Sequence, residues 1–105
     1  MRYVSTRNHN ISLKSMQAIK NGLCEDGGLF VPENIPQLTD EEIGRLSFLS
    51  YNERAKYILK KFLSDFSDEE IAESVDKAYN EESFERAEVA PFVKISDDLY
   101  ILELL

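Results

Sequence analysis

Three helix starts, at positions 39, 50 and 67 of the 105, constrain the fold most. Thr39-Asp40-Glu41-Glu42, Ser50-Tyr51-Asn52-Glu53 and Ser67-Asp68-Glu69-Glu70 each place a hydroxyl residue three positions before a glutamate. That is the capping-box pattern: the hydroxyl accepts from the N3 backbone N–H, and the glutamate reaches back to the N-cap N–H. Leu38 with Ile43, and Phe66 with Ile71, are spaced as hydrophobic staples. The second helix has Tyr51, Ala55, Ile58, Leu59, Phe62 and Leu63 on one face, and the third has Ile71, Val75, Ala78 and Tyr79. The acidic first turns suit the helix dipole. Capping accounts for the positions of these carboxylates, and no histidine accompanies them, so a catalytic or metal role for Asp40–Glu42 or Asp68–Glu70 is not expected.

The rest of the chain has a different texture. Arg2-Tyr3-Val4-Ser5-Thr6 reads as a short strand. Ser12 is the expected N-cap of a first helix with Leu13, Met16, Ile19 and Leu23 as its apolar stripe, and Gly22 is expected to end it. Residues 22–38 hold Gly22, Gly27, Gly28, Pro32 and Pro36. Asp26-Gly27 is a turn signal, and Leu29-Phe30-Val31 predicts a brief strand. The apolar half of this loop is expected to be anchored, and the Glu25–Gly28 half to be more mobile, having little side chain to bury. After Pro91, Phe92-Val93-Lys94-Ile95, a turn at Ser96-Asp97-Asp98, and Leu99–Leu105 predict a hairpin. Its second strand is apolar almost throughout, so we expect the polypeptide to continue beyond it, the chain being a fragment. The elements sum to an α+β fold: about four helices and a short antiparallel sheet that includes the C-terminal hairpin. Residues 1–105 are expected to form one domain.

Composition narrows the function classes. The net charge of −8 is uneven: residues 1–38 carry four basic and three acidic side chains, residues 39–105 carry eight and 17. The acidic part repels nucleic acid and anionic lipid, so neither is an expected partner. No apolar run approaches the ~20 residues of a membrane span. The N-terminus turns polar at Ser5, Thr6 and Arg7, where a signal peptide would be apolar, so a cytoplasmic location is expected. One cysteine, Cys24, and one histidine, His9, argue against a disulfide, a metal site or a catalytic dyad. Cys24 reads as a small hydrophobe.

Three segments resemble the threonine synthase family. Arg2-Tyr3-Val4-Ser5-Thr6-Arg7-Asn8 is similar to its opening, an aromatic followed by Ser-Thr-Arg-Gly. Gly22-Leu23-Cys24-Glu25-Asp26-Gly27-Gly28-Leu29-Phe30-Val31-Pro32 resembles its signature Gly-Leu-Ala-Pro-Asp-Gly-Gly-Leu-aromatic-Val-Pro. Tyr100-Ile101-Leu102-Glu103-Leu104-Leu105 is similar to the strand that leads into Phe-His-Gly-Pro-Thr. Asn8 replaces a glycine, and Cys24-Glu25 replaces Ala-Pro. The resemblance implies an enzyme that converts O-phosphohomoserine and water to threonine and phosphate, with pyridoxal phosphate as electron sink.

The family's Schiff-base lysine lies beyond the Gly-Pro-Thr segment. None of Lys14, Lys20, Lys56, Lys60, Lys61, Lys77 or Lys94 matches its motif. The resemblance therefore implies no catalytic, cofactor-binding or metal-binding residue in this chain, and an inactive chain in isolation. Its partners would be the catalytic domains of the same polypeptide. Thr6, Arg7, Asp26 and Gly27 are the candidates for bordering the substrate. Two other functions fit the residues: a free-standing acidic helical module that docks through Leu99–Leu105, and the start of a threonine-synthase-like phospholyase.

Overall fold

In the computed structural model, which describes residues 1–80, 82 and 90–104, the three hydroxyl caps begin three helices. These are α2 (Asp40–Leu46), α3 (Tyr51–Phe62) and α4 (Asp68–Ala78). Thr39 Oγ1 accepts from the Glu42 N–H at 3.1 Å and Ser67 Oγ from the Glu70 N–H at 3.1 Å, with both glutamates reaching back to complete their boxes. Ser50 caps α3 through the Glu53 N–H at 3.2 Å, but this box stays half-formed. The Glu53 carboxylate pairs instead with Lys56, one turn on, at 3.2 Å. Arg54 folds back to donate to the Leu46 and Ser47 carbonyls, closing the C-terminal end of α2.

Helices α3 and α4 pack together. Ile71 and Val75, the buried residues of α4, lie 5% and 1% exposed. Polar bonds frame the same contact. Lys56 meets Asp76 at 3.1 Å, and Asn52 donates to Asp76 and to the Tyr79 carbonyl. The Tyr51 and Tyr79 rings meet edge to face at 5.2 Å. Ala78, placed on the apolar face by spacing, is exposed. Glu42 links α2 to α3 by accepting from Tyr57 Oη at 2.9 Å and from Lys61 at 3.2 Å.

The N-terminal third forms a three-stranded antiparallel sheet in the order β2 (Ser12–Lys14), β1 (Arg2–Ser5), β3 (Phe30–Pro32). Tyr3 is opposite Leu13 on one side and Pro32 on the other. The expected start of the first helix is corrected here. Ser12 is not an N-cap; it pairs with Val4 in the sheet, and α1 runs over Ser15–Asn21. Its N-terminus is held from 50 residues away: the Asp65 carboxylate accepts from the Ser15 hydroxyl and, at 2.9 Å, from the Met16 N–H. The expected stripe is corrected with it. Met16, Ile19 and Leu23 are 40%, 62% and 66% exposed, and the helix buries Ser15 and Ala18 against the sheet. Small side chains let helix and strand approach closely, and the hydroxyl is satisfied by Asp65. Gly22 ends α1 as expected, at φ +71°.

Four hydrogen bonds tie the N-terminal third to the helices that follow. Tyr3 Oη donates to the Phe62 carbonyl at 2.8 Å, Asp65 caps α1, and the terminal ammonium donates to Ser64 at 2.9 Å. All of them converge on the α3–α4 connection. Loss of water and the nearby Asp65 charge both raise the Tyr3 phenol above its ordinary value, so it stays a donor at neutral pH.

The hairpin, β4 (Phe92–Ser96) and β5 (Leu99–Leu102), is a second sheet, separate from the first. Its pairing runs Phe92 to Leu102, Val93 to Ile101 and Lys94 to Tyr100, with an irregularity before Ser96 opposite Leu99. The strand stops at Leu102, short of the expected end; Leu105 lies outside the described residues. The architecture is the α+β class expected, with four helices and two small antiparallel sheets.

Candidate functional site

The end of β1 and the glycine turn at 24–28 form one latch. The turn closes on itself through Gly27 N–H to the Cys24 carbonyl at 2.9 Å and Cys24 N–H to the Gly28 carbonyl at 3.0 Å. Gly27 takes φ +82°, the left-handed region that an Asp-Gly turn needs. β1 then runs on into the turn: the Thr6 N–H donates to the Leu29 carbonyl at 2.9 Å, and Thr6 Oγ1 accepts from the Leu29 N–H at 3.0 Å.

Asp26 is the centre of the latch. Its carboxylate accepts from Ser5 Oγ at 2.8 and 2.9 Å and from the Gly28 N–H at 2.8 Å. Its carbonyl accepts from Arg7 Nη1 at 2.9 Å. The Gly28 N–H and the Ser5 hydroxyl, helped by Cys24 and the Arg7 charge, hold the Asp26 carboxyl below its usual value of 3.8. Ser5 is fully buried, and its oxygen also accepts from the Arg7 N–H at 3.2 Å.

The structure thus brings Thr6, Arg7, Asp26 and Gly27 together, but their polar atoms are largely spent on one another. Of the Arg7 guanidinium only Nη1 is engaged, and the residue is exposed. Sequence reasoning missed two members. Ser5 gives no outward signal, because a serine beside Val4 in a strand looks like a solvent-facing position. Gly28 is legible in the sequence as half of a double glycine that permits close backbone approach to a neighbouring domain or ligand. Its true constraint is space: a Cβ there would collide with Ser5 Oγ and come within 2.9 Å of Asp26 Oδ1. The expectation that Glu25–Gly28 is the looser half finds no support in this bonding. Leu29 is 58% exposed, and the polar half carries the ties.

The depressed carboxyl gives a pH expectation. A group whose folded value lies below its unfolded one contributes stability above the unfolded value, and that contribution fades as pH falls through the folded value. The Asp26 contribution is therefore complete above pH 3.8 and is lost below it. Asp26→Asn should lower stability at pH 7 and narrow its gap to the parent chain as urea titrations move toward pH 3. A gap that stays constant across that range would show that the carboxylate charge is not what holds the latch.

Beside the latch lies a shallow apolar groove lined by Tyr3, Ile19, Leu29, Phe30 and Leu63 among others. It offers no cationic side chain. Among the described residues no three histidine, cysteine or acidic side chains gather as a metal site. Nor is any described helix long and apolar enough to cross a membrane.

An α+β chain with this latched glycine turn has clear relatives. It belongs to the family described as threonine synthase N terminus, which matches residues 2–79. A threonine synthase of Pseudomonas aeruginosa is 34% identical over 105 residues, covering 99% of this chain and 22% of the relative. One from Eremothecium gossypii is 38% identical over 110 residues, covering 97% and 21%. The crystal structure of pyridoxal-phosphate-bound threonine synthase from Brucella melitensis superposes with a TM-score of 0.84 at 35% identity, covering 98% of this chain and 22% of that one. The Escherichia coli enzyme superposes at 0.81 with 28% identity, over 98% and 23%. The chain thus spans less than a quarter of the relatives it matches.

Proposed function

We propose that residues 1–105 are one domain, the N-terminal domain of a cytoplasmic threonine synthase that converts O-phosphohomoserine and water to threonine and phosphate with pyridoxal phosphate. In this reading the domain is inactive alone. It supports the catalytic domains of the same polypeptide, and Thr6, Arg7, Asp26 and Gly27 border the substrate entrance. The observation that carries the reading is the thinness of the core. Five apolar residues are buried among those described, while 17 large ones are exposed. A chain with that balance is built to be covered by further protein.

Five of the seven lysines are poorly suited to hold the cofactor. An imine-forming lysine needs an amine that can lose its proton near neutral pH. Lys56 is pushed the other way, above its ordinary value, by Asp76 and Glu53. Lys60, Lys61, Lys77 and Lys94 each face a carboxylate. The reading therefore assigns the cofactor to protein outside this chain. Arg7, with part of its fork free beside the turn, is the side chain best suited to meet an anionic substrate.

The test is a chimera of the Pseudomonas aeruginosa relative in which this chain replaces the matched segment. It should form threonine from O-phosphohomoserine. The chain alone should form none, and with pyridoxal phosphate it should give no borohydride-reducible imine band. Turnover by the chain alone, or a soluble chimera without activity, would overturn the reading. A second reading has its own support: a mouse protein named threonine synthase-like 1 is 37% identical over 91 residues, within the range of the threonine synthases. In that second reading the parent enzyme of this chain is a phospholyase on a related phosphorylated compound. A chimera built on that mouse protein, releasing phosphate from another phosphorylated amino compound faster than from O-phosphohomoserine, would favour it.

A further inference from the structure

The β4–β5 hairpin carries exposed apolar side chains on both faces. Residues paired across an antiparallel ladder share a face, so Phe92, Tyr100 and Leu102 lie on one side, with Lys94 opposite Tyr100 as its one charged member. Val93, Leu99 and Ile101 lie on the other. All six apolar residues are between 36% and 66% exposed. The Phe92 and Tyr100 rings stack at 4.7 Å between centroids, a ready-made aromatic anchor. Beyond the strands the Glu103 N–H donates to the Pro91 carbonyl at 2.8 Å and continues the ladder. A lone two-stranded hairpin is marginal in water, and a strand buried on both faces is the kind that is apolar throughout.

We propose that this hairpin is the plug by which the chain docks into the remaining, cofactor-binding portion of a threonine synthase, with both faces buried there. The inference rests on the function proposed above and names the surface that realises it. The choice of occupant follows from the two faces. A second copy of the chain, meeting the first about a two-fold axis, would cover one face of each hairpin and leave the other wet. A lipid surface would likewise reach one face, and Asp97, Asp98 and Glu103 at the ends of the hairpin repel anionic headgroups. Only a surrounding protein mass covers both. The matched relatives supply one, since more than three quarters of their length lies outside the matched segment.

Amide exchange and threonine formation test this in the chimera described above. Amides of residues 92–102 should exchange about a hundredfold more slowly there than in the chain alone. Tyr100→Asp and Ile101→Asp, one on each face, should each cut protection and activity by about tenfold or more. The milder Tyr100→Ala and Ile101→Ala keep the readout available should the aspartates prevent folding. Glu69→Gln, at an exposed polar position outside the hairpin, should change neither. An active chimera whose hairpin amides exchange as fast as in the free chain would overturn the docking while leaving the function standing. A protected hairpin in a chimera that forms no threonine would leave the docking standing and sink the function. Sedimentation of the chain alone as a dimer with a protected hairpin would overturn the docking in favour of a second copy.

Discussion

Gly28→Ala is expected to destabilise the chain by about 2–3 kcal/mol, read as a shift of the urea midpoint at unchanged slope. The alanine methyl would occupy space already held by Ser5 Oγ, Asp26 Oδ1 and Thr6 Oγ1. None of these can retreat cheaply: Ser5 is fully buried, and Asp26 is tied by the Ser5 hydroxyl and the Gly28 N–H. Two other glycines calibrate the result. Gly27→Ala meets mainly the flexible end of Arg7 but sits at φ +82°, so about 1 kcal/mol is expected. Gly44→Ala lies inside α2 with open space around it and should gain about 0.5–1 kcal/mol. If Gly28→Ala costs no more than Gly27→Ala, the latch yields, and the close approach of β1 to the turn is not what holds residues 24–28.

Ile71→Ala should cost about 2–4 kcal/mol. The side chain is 5% exposed in a core that holds few other apolar residues, next to Val75 at 1%. Stability totals of small domains are only about 5–15 kcal/mol, so this variant of the free chain should lose a large share of its stability, read as a lower urea midpoint and a lower thermal transition. Ile43→Ala, at a 54% exposed position on α2, serves as the control and should stay within about 0.5 kcal/mol of the parent. Equal losses at Ile43 and Ile71 would mean that α2 is packed as tightly as α4, against the exposures seen.

The sequence by itself determined the elements whose causes are local. Thr39, Ser50 and Ser67 each bond a backbone N–H three residues on, a contact that needs no tertiary structure, and α2, α3 and α4 begin where those residues stand. The hairpin was legible for the same reason: its partners are a few residues apart across the Asp97-Asp98 turn. Thr6, Arg7, Asp26 and Gly27 were marked out by composition and by family resemblance, and they do meet.

Only the tertiary structure decided what depends on distant partners. Ser12 looks like an N-cap until β1 pairs with it, and Ser15 looks like a poor core residue until Asp65, 50 positions away, takes its hydroxyl. Ser5 is polar, yet fully buried, because Asp26 arrives from 21 residues off to accept its hydrogen bond. Periodicity sees side chains as apolar or polar; it does not see which polar group will be satisfied by another once the chain has closed. For that reason the helices were set by their own caps, while the start of α1 and the latch at the glycine turn were set by loops closing over tens of residues.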